Sequence, residues 1–229
     1  MDADAQTAPV AALVADATRS TILWALVDGR ALPACELAQQ AGVTAATISY
    51  HLEKLIAGHL VSAAKQGRHR YYRLASPTVA DVLEALATVA PPGHARTFRE
   101  GQAAKGLRFA RSCYDHLAGM LGVRITEALV ARRCLAPPTR GDYELTPAGE
   151  RLFARLAVDV AGARAARRGF ARACLDWSER RHHLAGALGA AWLERLIELR
   201  WVERRAHGRA VRLTDSGRRG LREHLGVET

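Results

Sequence analysis

The chain has 229 residues, 49% of them hydrophobic, and a formal net charge of +10. That is enough apolar content to bury a core and too much for a disordered chain. No run approaches the roughly 18 uninterrupted apolar residues of a membrane helix, and the acidic start Met1-Asp2-Ala3-Asp4 is unlike a secretory signal, so a cytoplasmic protein without membrane contact is expected. The four scattered cysteines are too few for a disulfide scaffold and read as reduced thiols.

After a loose tail over residues 1–8, a short helix is expected from Pro9 to Ala17 with Val10, Leu13 and Val14 inward. A second runs from Thr18 to Val27, burying Ile22, Leu23 and Leu26 and leaving Trp24 as a candidate interface residue, and Asp28-Gly29-Arg30 turns the chain. From Pro33 to Leu55 the pattern predicts two helices joined by a tight turn. Leu37, Ala38 and Ala41 mark the stripe of the first, Gly42 is suited to its C-terminal cap, and Thr44 can cap the second. Ile48, Leu52 and Leu55 fall at i, i+4, i+7 and so share one buried face. The opposite face carries Ala45, Ala46, Thr47, Ser49 and Tyr50 where a solvated helix would carry charges. Small side chains and hydroxyls suit close approach to base edges in a major groove.

Strand-like runs Leu60–Lys65 and Arg70–Leu74 then flank Gln66-Gly67-Arg68-His69, a positively charged hairpin tip. A helix-turn-helix followed by a basic hairpin is a winged helix, in which the wing grips phosphate or the minor groove. Residues 1–90 hold seven Lys and Arg against eight Asp and Glu, yet Val43–Arg73 holds five bases, Lys54, Lys65, Arg68, Arg70 and Arg73, against the single acid Glu53. The positive field is therefore concentrated on the helix and wing. Residues 91–229 carry 26 bases against 15 acids, which reads either as further phosphate contacts or as an Arg-rich solvated surface.

Four segments, Asp16-Ala-Thr-Arg-Ser-Thr-Ile-Leu23, Cys35-Glu-Leu-Ala38, Ile48-Ser-Tyr-His-Leu-Glu-Lys-Leu55 and Gly67-Arg-His-Arg-Tyr-Tyr-Arg-Leu74, together resemble the successive signatures of ArsR-type transcriptional regulators over about residues 8–90. The resemblance implies a homodimeric, DNA-binding repressor, released by an effector, whose recognition helix begins at Thr44. It assigns base contacts to Thr44, Ala45, Thr47, Ser49 and Tyr50, phosphate contacts to His51 and Lys54, and backbone or minor-groove contacts to Arg68, His69 and Arg70. A helix from Ser76-Pro77 to about Val89, with Val79, Val82, Leu83 and Leu86 as its stripe, would pair with its mate and demand an inverted-repeat operator. The same stripe could equally pack on the protein's own second half.

Pro91-Pro92-Gly93 is read as the boundary between a winged-helix domain, 1–90, and a second domain, 91–229. The second domain contains an internal repeat, approximately 107–160 and 170–226. Cys113-Tyr-Asp115-His116-Leu-Ala-Gly119 recurs as Cys174-Leu-Asp176 and then His183-Leu-Ala-Gly186, and each copy runs on to a Leu-Thr pair, Leu145-Thr146 and Leu213-Thr214. Duplicated units of this length are expected to pack about a pseudo-two-fold axis. The wing-like end of the second copy, Leu199–Thr214, suggests degenerate winged-helix halves. The expected fold is mainly α with small β-hairpins, an α+β chain of a winged helix-turn-helix followed by a duplicated, mostly helical domain.

An enzyme finds no support: there is no Gly-rich phosphate loop, nucleophile elbow or HExxH. The two metal sites that the resemblance implies are broken, because the position two before Cys35 is Pro33 and the last helix of the winged domain offers Asp81 and Glu84 but no His. The repeat supplies another set. Cys113 and His116, read as one helix face, with Cys174 and His183 make a tetrahedral donor set for zinc or a similar soft ion, with Asp115 and Asp176 behind them. The alternatives are a Cys113/Cys174 redox switch, an effector or haem pocket lined by Tyr114, Trp177 and Trp192, buried cysteines that only pack, and an interaction module that has lost DNA contact.

Overall fold

The structure, a computed structural model, describes residues 5–91, 98–205 and 208–229. Pro92 and Gly93 of the expected boundary, and residues 206 and 207 in the second copy, lie outside the described residues. The chain divides into two compact units, Met1–Leu83 and Glu84–Thr229.

In the first unit α1 spans Ala8–Ala15 and α2 spans Ala17–Leu26. Asp16 separates them because its carboxylate accepts the Arg19 backbone N–H at 2.8 Å and caps α2. The inward face expected for α1 is formed in part: Leu13 and Val14 are half-buried, while Val10 is 40% exposed. Leu13 sits against Gly58, where any Cβ would overlap it at 2.1 Å. Strand β1 (Leu32–Pro33) leads into α3 (Ala34–Ala41), and Gly42, at φ +65°, ends α3 in the left-handed conformation that glycine adopts without strain. Helix α4 covers Ala45–Ala57, capped by the Thr44 hydroxyl, and buries Ile48, Leu52 and Leu55. Strands β2 (Val61–Gln66) and β3 (His69–Leu74) pair antiparallel with Gln66 opposite His69, so the turn is Gly67-Arg68 alone and His69 belongs to the strand. Strand β1 adds to β3, giving the order β1-β3-β2.

Helix α5 runs from Pro77 to Val89. Its apolar residues split between two faces instead of forming one stripe. Ala80, Leu83 and Glu84 are buried, while Val82, Leu86 and Val89, spaced four and three residues apart, are 45%, 45% and 80% exposed.

After the end of α5, the second unit continues with α6 (Phe98–Phe109) and then shows the repeat as a duplicated order of elements. The first copy is β4 (Arg111–Cys113), β5 (His116–Ala118), α7 (Gly119–Ala131), β6 (Leu135–Thr139), β7 (Asp142–Leu145) and α8 (Pro147–Arg155). After α9 (Val160–Ala165), the second is β8 (Arg172–Leu175), β9 (His182–Ala185), α10 (Gly186–Glu198), β10 (Val202–Arg204), β11 (Val211–Leu213) and α11 (Asp215–Leu225). Each copy thus places one helix between two hairpins. No turn-linked helix pair precedes the second hairpin, so the copies are not winged-helix halves.

The copies exchange contacts reciprocally. Helix α7 packs on β9 and α10 on β5. The Val211 N–H donates to the Ala110 carbonyl at 2.9 Å, and the equivalent Tyr143 N–H donates to the Ala171 carbonyl at 2.7 Å. Ser112 to Arg209 and Ala173 to Gly141 repeat the relation one step on. Within each copy, Gly122 and Gly189 let the helix lie against the strand before it, since a Cβ there would meet the carbonyl oxygens of Leu117 and Leu184 at 2.5 and 2.6 Å. One core containing Leu121, Leu129, Phe153, Leu188, Trp192 and Leu196 serves both copies.

Each copy also closes with the same N-cap. Thr146 and Thr214 accept the N–H of Gly149 and Gly217, and donate their own hydroxyl protons to carbonyls of the preceding turn, Arg133 and Arg200. A Cβ at Gly217 would meet the Trp201 carbonyl oxygen at 2.1 Å. Gly217→Ala is expected to destabilise the protein by about 1–3 kcal/mol through overpacking, read as a lower urea midpoint at unchanged slope.

Candidate nucleic-acid interface and thiol-imidazole cluster

Helix α4 presents Thr44, Ala45, Ser49 and Tyr50 to solvent, Tyr50 with 55% of its surface free. Thr47 is half-buried, its hydroxyl 2.9 Å from that of Thr44. The Ser49 hydroxyl donates to the Ala45 carbonyl at 2.9 Å, so its proton is committed and its lone pairs face outward as acceptors. Lys54 lies one turn on, its ammonium 5.5 Å from the Tyr50 ring centre. His51 departs from its expected phosphate role: its side chain is 12% exposed and its Nδ1 lies 3.7 Å from the Asp16 carboxylate.

On the wing, Lys65, Gln66, Arg68, His69 and Arg70 are all exposed, while Val61, Tyr72 and Leu74 anchor the strands below. Lys65 sits directly opposite Arg70. Like charges in that register repel across the strands, and a polyanion against the wing removes the repulsion.

In the second unit Cys113 and His116 do not share a helix face. They are paired residues closing a hairpin, β4 to β5, whose turn is Tyr114-Asp115 with Tyr114 at φ +56°. Cys174 and His183 occupy the same paired register on β8 and β9. Because the hairpins belong to different copies that pack on each other, the four donor atoms converge to within 4.8 Å of one another. Cys113, His116 and His183 are buried and Cys174 is half-buried. The two imidazoles stack, with Nε2 atoms 3.2 Å apart.

Each imidazole is backed by a carboxylate on its other nitrogen. His116 Nδ1 is 3.5 Å from Asp115, itself paired with Arg168, and His183 Nδ1 is 3.7 Å from Asp176. Asp176 is fully buried and held from all sides: by Arg111 at 2.9 Å, by the Gly119 N–H at 2.7 Å, and by the N–H and hydroxyl of Ser178. Burial pushes this carboxyl up, but Arg111 and the donated hydrogen bonds outweigh it and hold Asp176 well below the usual carboxylate range. The thiols are driven apart in the same way. Cys113, hydrogen-bonded to Cys174 and desolvated, is raised, and Cys174, accepting from Cys113 and the histidines, is lowered. Burial opposes the charged form of His116, yet Asp115 and Cys174 raise it to about 9.

Trp177 and Trp192, two of the aromatic residues named for an effector pocket, have different surroundings. Trp192 is 3% exposed and packs on Phe153 in the core, whereas the Trp177 ring lies under the Arg111 guanidinium at 4.5 Å. The cavities beside α9 are lined by other residues, among them Ala163, Ala187 and Glu194 in one and Ala154 and Val158 in another. Among the inherited metal positions, Cys35 is an exposed free thiol, and Glu84 is buried against Arg111 and Arg209.

Residues 14–62 match a family described as a helix-turn-helix domain. The uncharacterized HTH-type transcriptional regulator YdfF of Bacillus subtilis is 45% identical over 221 residues, covering 96% of this chain and 97% of that protein. The chain belongs to the HTH-type transcriptional regulators. HTH-type regulator KmtR of Mycobacterium tuberculosis is 40% identical over 99 residues, 42% of this chain and 73% of that one. A solution structure of a homodimeric winged helix-turn-helix DNA-binding domain from Mycobacterium bovis, described as a possible ArsR-family regulator, is 27% identical, covers 39% of this chain and 89% of its own, and superposes with a TM-score of 0.34.

With its helix-turn-helix domain and its full-length likeness to YdfF, this HTH-type protein is a DNA-binding transcriptional regulator. Among its described residues no helix is long and apolar enough to cross a membrane. Arg111 is the residue of the cluster that sequence reasoning missed. Its only signal is the repeated Arg-Ser-Cys113 and Arg-Ala-Cys174, and the two arginines have opposite fates, Arg111 wholly buried and Arg172 exposed.

Proposed function

We propose that the chain is a homodimeric repressor that reads an inverted-repeat operator with α4 and is released by an effector of the second unit. The carrying observation is the exposed face of α4, where Ala45, Ser49 and Tyr50 are open to solvent on a helix with the single acid Glu53, beside a wing whose exposed residues are basic or neutral. In this reading Thr44, Ala45, Thr47, Ser49 and Tyr50 meet base edges, and Lys54, Arg68, His69 and Arg70 meet the sugar-phosphate backbone or minor groove. His51 instead fixes α4 against the Asp16 cap.

Mobility shift on the DNA flanking the protein's own coding region tests this. Tyr50→Ala is expected to reduce discrimination between operator and scrambled sequence by about 1–3 kcal/mol. Arg68→Ala is expected to weaken binding to both DNAs alike and to flatten the salt dependence by about one unit of slope. Unchanged sequence preference in Tyr50→Ala would remove α4 as the reading helix, and absence of any shift at low salt would favour an interaction module.

A further inference from the structure

We propose that Cys113, His116, Cys174 and His183 form a tetrahedral site for one zinc-class divalent ion, which clasps the two copies of the second unit. The site is independent of the reading helix, and it is not one of the two metal positions that the family resemblance implies.

Three observations converge on it. First, the geometry suits a metal. Zn–N bonds near 2.05 Å at a tetrahedral centre set the nitrogens roughly 3.3 Å apart, and Zn–S bonds near 2.3 Å set the sulfurs roughly 3.8 Å apart. The imidazole nitrogens stand 3.2 Å apart, and the whole donor set lies within 4.8 Å. Second, the carboxylates of Asp115 and Asp176 face Nδ1 of the two rings. With a carboxylate on the far side of each ring, both Nε2 atoms face one point, where a single divalent ion would take a lone pair from each. Third, the backbone is cut to fit. A Cβ at Gly189 would stand 3.2 Å from the His116 Cβ, and one at Gly122 would stand 3.8 Å from the His183 Cβ. Gly189 thus makes room for the other copy's imidazole, and Gly122 brings its helix into ordinary contact with His183 opposite.

Two thiolates and two imidazoles select borderline and soft ions over magnesium or calcium. Four protein ligands with no open position mark a structural centre more than a catalytic one. Two thiolates also neutralise a divalent ion, while Arg111 and Arg168 already neutralise Asp176 and Asp115, so the occupied centre buries no net charge. The ion would join positions as far apart in sequence as His116 and His183, 67 residues, so its binding free energy becomes folding free energy of this unit.

The test uses the full chain purified under reducing conditions. Elemental analysis is expected to give about one zinc per chain, and Cys174→Ala and His116→Gln to carry almost none. Metal-stripped wild-type protein titrated with cobalt is expected to develop the strong visible absorption of tetrahedral cobalt and a thiolate-to-cobalt charge-transfer band at one equivalent. Because the titration needs no substitution, a variant that fails to fold does not decide the matter. Folded, reduced wild-type protein that carries no zinc and gives no cobalt spectrum would overturn the proposal. So would variants retaining full metal content, or a Cys113–Cys174 disulfide formed in air by a protein with no metal affinity.

Discussion

Replacing Arg111 with alanine is expected to cost about 3–5 kcal/mol of stability, because it strips the partner from two carboxylates that have no access to water. Asp176 is fully buried and Glu84 is 2% exposed, and the guanidinium lies 2.9 Å from the first and 3.8 Å from the second. Glu84 keeps Arg209, whereas Asp176 keeps the backbone and hydroxyl donors of Gly119, Ser178 and Glu179 and the His183 ring at 3.7 Å, with no second guanidinium among them. Most of the penalty should therefore pass through Asp176. The consequence reaches further than the ion pair, since the Asp176 oxygen that Arg111 holds is also the one facing His183. The measurement is urea unfolding followed by tryptophan fluorescence, with Trp177, Trp192 and Trp201 as reporters in the second unit. Asp176→Asn alone should cost less than Arg111→Ala, and the double variant less than the sum of the two. Strict additivity would mean that Asp176 does not depend on Arg111.

The winged helix was legible because its signals are local. Gly42 ends a helix, Thr44 caps the next, and the spacing of Ile48, Leu52 and Leu55 selects one buried face; each depends on neighbours within a few residues. The repeat was legible as a repeat, and the donor set was named from it, but the intermediate step was wrong. A separation of three residues reads as a helix face only if the chain between is helical, and Tyr114 at positive φ folds Cys113 back onto His116 in a hairpin instead. What brings the two hairpins together was not legible at all. It consists of backbone pairings such as Val211 to Ala110 and Tyr143 to Ala171, which leave no side-chain pattern. The glycines of the His-Leu-Ala-Gly segments do leave one. Gly119 and Gly186 take φ +80° and +76°, and Gly122 and Gly189 let each helix lie against the strand before it. A close approach specified by an absent Cβ looks in sequence like any small residue. The aromatic residues named for an effector pocket show a related limit: residues near one another in a repeat can serve different neighbours, as Trp177 and Trp192 do.

Leu86→Glu is expected to convert the protein to a monomer and to lower its affinity for a full operator by about 10²–10⁴-fold, the loss of linked binding at a second half-site. Helix α5 buries Leu83 and Ala80 and leaves Val82, Leu86 and Val89 as an outward row. Apolar residues at that spacing on an exposed helix are costly unless another surface covers them, and in the proposed homodimer a two-fold mate would cover them with the same row. Across a two-fold axis one substitution introduces two carboxylates, desolvated and facing each other, so glutamate should act far more strongly than alanine at this position. Sedimentation equilibrium reports the assembly, and mobility shift on an inverted repeat against a single half-site reports its use. The wild type should prefer the repeat strongly, and the variant should bind both DNAs about equally while keeping its wild-type preference within a half-site, because α4 and the wing are untouched. A Leu86→Glu protein that stays dimeric with full operator affinity would move the dimer contact off α5. Loss of preference within a half-site would show instead that the substitution had disturbed the winged helix itself.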